Sequence, residues 1–221
     1  KAAKNNSLIH IDHYDELYTL IRLSEELGLK PRVAIRVNMD TGIYPMWDRF
    51  GFNYENGQAW QAINKIVESG KLNLVGLHTH IGTYMLSTAA YAVAASKLCD
   101  LAVNCKSQLH TTIKYLDLGG GFPSANTLKG AIGLVPTPSI DEFAEAITST
   151  ILNYGFKTED LPLLIMESGR VMIDDAGYLL GSVLANKKLS DGRKDTIMEF
   201  GVNIMFTSFW FEHKISPAQE V

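Results

Sequence analysis

Four short stretches of this 221-residue chain concentrate the groups able to do chemistry. "YLDLGGGFP" (115–123) runs an apolar strand into Gly119, Gly120 and Gly121. Glycine loses more conformational freedom on folding than any other residue, so three together imply a backbone that must approach something closely. They fit a tight strand-to-helix connection, or an anion cradle whose amides reach a phosphate with no Cβ in the way. No Lys-Ser/Thr follows and the spacing is not G-x-G-x-x-G, which excludes a P-loop and a dinucleotide fingerprint. In "GLHTHIGT" (76–83), His78 and His80 stand two positions apart on a strand and share one face. They fit satisfied core histidines, a pair of zinc ligands, or an imidazole lying flat on a planar cofactor. "MESGRV" (166–171) puts Glu167, Ser168, Gly169 and Arg170 after the apolar "PLLI". That arrangement makes an internal ion pair, or a site for a cationic ring and an anionic phosphate. "AIRVNMDTGIYPMWDRFGF" (34–52) carries Arg36, Asn38, Asp40 and Arg49, and taken alone reads as an ordinary polar loop.

Positioning these groups takes strands, and the sequence offers five: 8–12, 33–38, 74–81, 115–119 and 161–168. Amphipathic stretches separate them. The helix from Asp15 has apolar residues at helical spacing and a stop at Gly28; a second ends at Gly70. A third follows Ser87, and a fourth opens on a capping box, Ser139 with Glu142, and closes on Gly155. Strand–helix–strand units joined by right-handed crossovers make a parallel α/β sheet. The chemistry-bearing residues fall at the C-terminal ends of successive strands. A doubly wound sheet would gather them at one switch point, whereas a (β/α)8 TIM-type barrel brings all strand ends into one site. The expected fold is therefore such a barrel, incomplete in this chain, over residues 1–175. From 176 to 221, "AGYLLGSVLANKKL", "KDTIMEFGV" and "SFWFEH" read as strands without intervening helices, the last barrel segment and the start of a β-rich domain.

Composition narrows the partners. With 46% hydrophobic and 20% charged residues the chain can bury a core. Its net charge is −4 and it has no basic block, so no nucleic-acid partner is indicated; no apolar run suggests a membrane span. Cys99 and Cys105 lie six apart in one helical segment, on different faces, which argues against a disulfide and for a reducing cytoplasm. The ends, "KAAKNNS" and "SPAQEV", read as cut points within a longer protein.

The order of the pieces resembles the diaminopimelate/ornithine/arginine decarboxylase family, the alanine-racemase-like pyridoxal-phosphate enzymes of barrel type. The resemblance runs through "IHIDHYDEL", "RVNMDTG…WDRFGF", "GLHTHIG", "LDLGGGFP", "MESGRVMIDDAGYLL" and "GVNIMFTSFWFEH". It implies pyridoxal 5'-phosphate as cofactor, decarboxylation of a basic or diamino acid, and a homodimer with a shared active site. It further implies that Gly119, Gly120 and Gly121, with Gly169 and Arg170, hold the phosphate, with Thr83 where a Ser is usual. By the same resemblance His80 stacks on the pyridine, Glu167 faces its nitrogen, and Arg170 lies near the substrate carboxylate.

The departures are Ser168 in place of a proline, and "EFG" (199–201) where "DAG" or "DGG" is usual. Thr207 and Phe211 stand where diaminopimelate enzymes carry Arg and Tyr, while Glu212 is placed to meet a substrate's distal amine, as in ornithine-type enzymes. Lys4 lies too close to the strand at Ile9 to match the family's Schiff-base lysine, which is expected upstream, with a cysteine motif downstream. The chain alone is accordingly expected to be inactive. Two other readings remain. One is a metal-dependent hydrolase barrel using His78 and His80, for which His10, His13, His110 and His213 look poorly placed. The other is a catalytically inactive homologue acting as a binding partner.

Overall fold

The computed structural model describes residues 2–124, 129, 136–174 and 176–218. Strands β1 (Ile9–Ile11), β2 (Arg32–Asn38), β4 (Asn73–His78), β5 (Tyr115–Asp117) and β6 (Leu163–Ile165) pair in parallel in that spatial order. The two-residue β3 (Phe52–Asn53) pairs with the end of β2. Strands that follow one another in sequence are neighbours in space, with no reversal. That is the singly wound order of a barrel arc rather than a doubly wound sheet.

Each crossover carries a helix whose ends follow local chemistry. Helix α1 (Tyr14–Leu27) stops at Gly28 in the left-handed conformation, and α2 (Gln58–Ser69) stops at Gly70 in the same way. Helix α3 (Thr88–Leu109) begins after Ser87, which caps it through no side-chain bond. Before α4 (Ile140–Asn153) the capping box is complete: Ser139 Oγ accepts from Glu142 N, and Glu142 Oε2 accepts from Ser139 N. Ser139→Ala should lower stability by about 1 kcal/mol, read as a drop in the urea midpoint at unchanged slope.

The sheet has two unlike faces. On β2, Val33, Ile35 and Val37 are buried on the helix side, and Leu77 and Leu116 continue that apolar layer on β4 and β5. The alternate positions carry Arg32, Ala34, Arg36 and Asn38. Register puts Arg36 beside His78, and His78 beside Asp117, so one row of the inner face is polar from β2 to β5, ending at Ile165 on β6. Gly76 lies one layer down, where a Cβ would sit 3.1 Å from that of Ala34.

The chain divides into two compact units: Lys1–Pro123 with Pro138–Arg170, and Ser124–Thr137 with Val171–Val221. Residue 175, at the expected domain boundary, lies outside the described residues. The second unit holds the antiparallel hairpin β7 (Val183–Lys188) and β8 (Lys194–Met198). "SFWFEH" is not the continuous strand that its aromatic content predicts: Ser208 and Phe209 end a 3-10 turn (Phe206–Phe209), and only Phe211 makes an isolated bridge. Leu163–Ile165 is shorter than the expected 161–168: Pro162 has no N–H to give the ladder, and beyond Ile165 the backbone bonds go to the glycine loop, with Glu167 N donating to Gly119 O.

Candidate active site at the strand ends

The three glycines are demanded by their neighbours' backbones. Gly119 (φ +65°) and Gly121 (φ +90°) take up left-handed backbone. A Cβ on Gly119 would stand 2.6 Å from Thr79 O, and one on Gly120 2.6 Å from Glu167 O. On Gly121 it would collide with Gly82 O. The loop is knitted to both adjoining strand ends: Glu167 N donates to Gly119 O (2.8 Å), and Met85 N to Gly121 O (2.9 Å). Tyr91 Oη, buried on α3, donates to Gly120 O at 2.7 Å. Close packing of strand ends, one of the two readings of the bare sequence, is thus enough to require glycine here, and the same packing presents the loop at the rim.

His80, just past β4, accepts from Gly120 N through Nδ1 (2.9 Å), which fixes its neutral tautomer with the proton on Nε2. Trp47 meets its ring edge-on at 5.5 Å. Burial first, then the Arg36 guanidinium, hold the imidazole below its ordinary pKa, against the pull of Glu167. Beyond His80, Thr83 is exposed in a loop whose next residue, Tyr84 (φ +53°), lies under the Arg170 guanidinium at 5.8 Å. Arg170 opens the one-turn helix α5 (Arg170–Ile173), preceded by exposed Gly169 and half-buried Ser168. The Gly82–Met85 loop, the glycine loop and the 168–170 turn therefore adjoin. Glu167 presents a half-exposed carboxylate on the same rim.

Beneath the rim is a cluster that the sequence pattern did not single out. His10 on β1 stacks against His78 with ring centroids 4.8 Å apart. One nitrogen or carboxylate oxygen from each of His10, His78, Asp117 and Glu167 lies within 4.8 Å of all the others. His10 is therefore well placed, contrary to expectation, because β1–β2–β4 register brings it across the sheet. Alternation with Asp12 in "IHID" was the available signal. His80 does not join this group, so the histidine pair of the metal reading is His10 with His78. Arg36, within the expected strand 33–38 although its stretch reads alone as a polar loop, belongs to the inner face of β2, where it stacks on Phe50 at 4.6 Å. Asn38 has a structural task, donating to Phe50 O and Gly51 O. Glu212 is exposed in the second unit, and Lys4 is exposed in the turn before β1.

Burial pushes the His78 pKa down to about 3, aided by His10, Arg36 and His80. Burial pushes Asp117 up to about 6; the Gly119 amide opposes this and Glu167 reinforces it. The two oppose each other in stability. His78 contributes stability present above its unfolded value of 6.5 and lost as pH falls toward 3. Asp117 contributes stability present below 3.8 and lost as pH rises through about 6. Between pH 6 and 4 the two slopes nearly cancel, so stability should be almost flat there, and His78→Phe, which leaves Asp117 unopposed, should make stability rise as pH falls through about 6 in pH-dependent urea titrations.

A singly wound α/β arc with its polar groups at the carboxyl ends of parallel strands defines a barrel-type enzyme domain. The family model described as "Pyridoxal-dependent decarboxylase, pyridoxal binding domain" matches residues 1–174, and the chain belongs to that family. It is 30% identical over 218 residues to diaminopimelate decarboxylase of Methanocaldococcus jannaschii, covering 94% of this chain and 48% of that protein. Against the Bacillus subtilis diaminopimelate decarboxylase the identity is 29% over 205 residues, covering 88% and 45%. The crystal structure of the M. jannaschii enzyme superposes with a TM-score of 0.78 at 30% identity, covering 91% of this chain and 46% of that one. A second structure of it, in complex with L-lysine, gives 0.78 at 29%, covering 90% and 46%. The chain spans about half the length of the curated relatives it matches.

Proposed function

We propose that the protein carrying this chain decarboxylates a basic or diamino acid with pyridoxal 5'-phosphate. The observation that carries this is the convergence of the glycine loop, His80 and Glu167 on the ends of β4, β5 and β6, in a chain of the pyridoxal-binding family. The donor set fits the cofactor. Arg170, the Thr83 hydroxyl and the amides of Gly121, Ser168 and Gly169 suit a phosphate dianion, while the Gly119 and Gly120 amides, expected to hold it, are given to Asp117 and His80 and shape the loop instead. The neutral His80 imidazole offers a flat face. Glu167, half-exposed, suits a protonated ring nitrogen.

Bound there, pyridoxal phosphate supplies the electron sink for the charge left when carbon dioxide departs. Glu167 keeps the ring nitrogen protonated, since a carboxylate beside a cation favours its charged form. His80 restrains the ring plane, and Arg170 both neutralises phosphate charge and lies near the substrate carboxylate. Glu212 is the group proposed for a distal substrate amine, which favours an ornithine-type substrate. The relatives of known name favour diaminopimelate instead.

In the same reading the enzyme is a cytoplasmic homodimer. Two buried free thiols, each raised to about 12 by burial, are in keeping with a reducing compartment. Phe206, Phe209 and Trp210 are exposed on the second unit and await cover. The test is titration of the whole protein with pyridoxal phosphate, followed by carbon dioxide release from diaminopimelate, lysine, ornithine and arginine. A visible absorbance band and turnover of one of the four are expected; absence of the band overturns the reading.

A further inference from the structure

His78 is a side chain without a visible occupation. It is only 5% exposed, and neither ring nitrogen has a hydrogen-bond partner among the described residues. An unpartnered buried imidazole costs on the order of 1–3 kcal/mol, so such a group is retained for what it meets. What it meets is Glu167, whose Oε1 lies 3.7 Å from His78 Nε2. A displacement of well under 1 Å would turn this approach into a hydrogen bond from a neutral imidazole to the carboxylate.

The groups facing that contact come from every adjoining strand: His10 and Asp12 from β1 and its end, Arg36 from β2, His80 from the end of β4, Asp117 from β5. Burial first, then His10 and Arg36, disfavour a charge on His78, so it meets Glu167 as a donor without a positive charge of its own. Asp117 is the only other carboxylate in the four-residue group, and it interacts with Glu167 as a like charge.

We infer that His78 is a positioning residue for Glu167: from beneath, it donates to the carboxylate that faces the cofactor's ring nitrogen, holding it in place and in its ionised form, with Asp117 as the opposing charge. The inference rests on the cofactor reading above. His78 touches neither ring nor substrate and acts through Glu167. The alternative use of the cluster, a divalent metal held by two imidazoles and two carboxylates, would take Glu167 away from the ring.

The test compares the whole protein with its His78→Phe, His78→Gln and Asp117→Asn variants. Pyridoxal-phosphate affinity and bound-cofactor absorbance are followed from pH 5 to 8. Loss of the donor in His78→Phe should weaken cofactor affinity and move the acid limb of the bound-cofactor absorbance upward, the loss growing from pH 7 toward pH 5. His78→Gln, which keeps an N–H, should restore most of the limb. Asp117→Asn should remove an inflection near pH 6, where burial places Asp117's own titration. Limbs unmoved in all three variants, or affinity lost equally at every pH, would overturn the inference. If His78→Phe does not fold, His78→Leu, which also lacks a donor, is measured in its place against the same expectations. A parent protein that binds no cofactor at any pH overturns the reading of function itself, which separates the two failures.

Discussion

Gly121→Ala should leave the protein unable to hold pyridoxal phosphate and destabilise it by about 3 kcal/mol or more. Two effects add. At φ +90° an alanine is strained on its own account, by roughly 1–2 kcal/mol. Its methyl group would also collide with Gly82 O and come within 3.0 Å of Tyr91 Oη. Neither obstacle is a flexible side-chain tip: one is backbone, and the other is a buried phenol bonded to Gly120 O. Relief would require the loop after β4 to move off the glycine loop, breaking the bond from Met85 N to Gly121 O. The urea midpoint and a cofactor titration together check this. Unchanged affinity would mean that the loop does not hold the phosphate.

Glu167→Gln should separate binding from chemistry. The amide keeps the size of the side chain and loses the charge that holds a ring nitrogen protonated. Decarboxylation should slow by about 10²–10³-fold, the scale of losing one preorganised charge at a reacting centre. Phosphate contacts remain, so affinity should fall by less than about tenfold. Single-turnover carbon dioxide release and equilibrium titration give the two numbers. A rate within a factor of three of the parent would remove Glu167 from the proposed site.

The alternation of strands and helices was legible because each element is punctuated by its own residues. Gly28, Gly70 and the Ser139–Glu142 box end or begin helices by local chemistry that needs no tertiary partner. The rim residues His80, Gly119–Gly121 and Glu167–Arg170 were legible as motifs at strand ends. Their common neighbourhood in the first unit follows from parallel register. His10 and Asp117 were not, since their meeting with His78 depends on how β1, β2, β4 and β5 align, a long-range property with no short-range signature. "SFWFEH" misled for the reverse reason: aromatic residues favour strands only where a sheet is there to receive them, and among the described residues Phe206–Phe209 pairs with no strand while Phe211 makes a single bridge.

The polar row Arg36–His78–Asp117 has a consequence for assembly as well as for chemistry. Side chains on a strand alternate with a period of two. A slip of one residue in β2, β4 or β5 would therefore thrust a guanidinium, an imidazole or a carboxylate among the helices and turn Ile35, Leu77 or Leu116 inward. Purely apolar strands would forgive that error, because either face could be buried. Here the misaligned sheet carries uncompensated charge in its hydrophobic layer, so the groups that would serve the cofactor also tell each strand where to stop sliding.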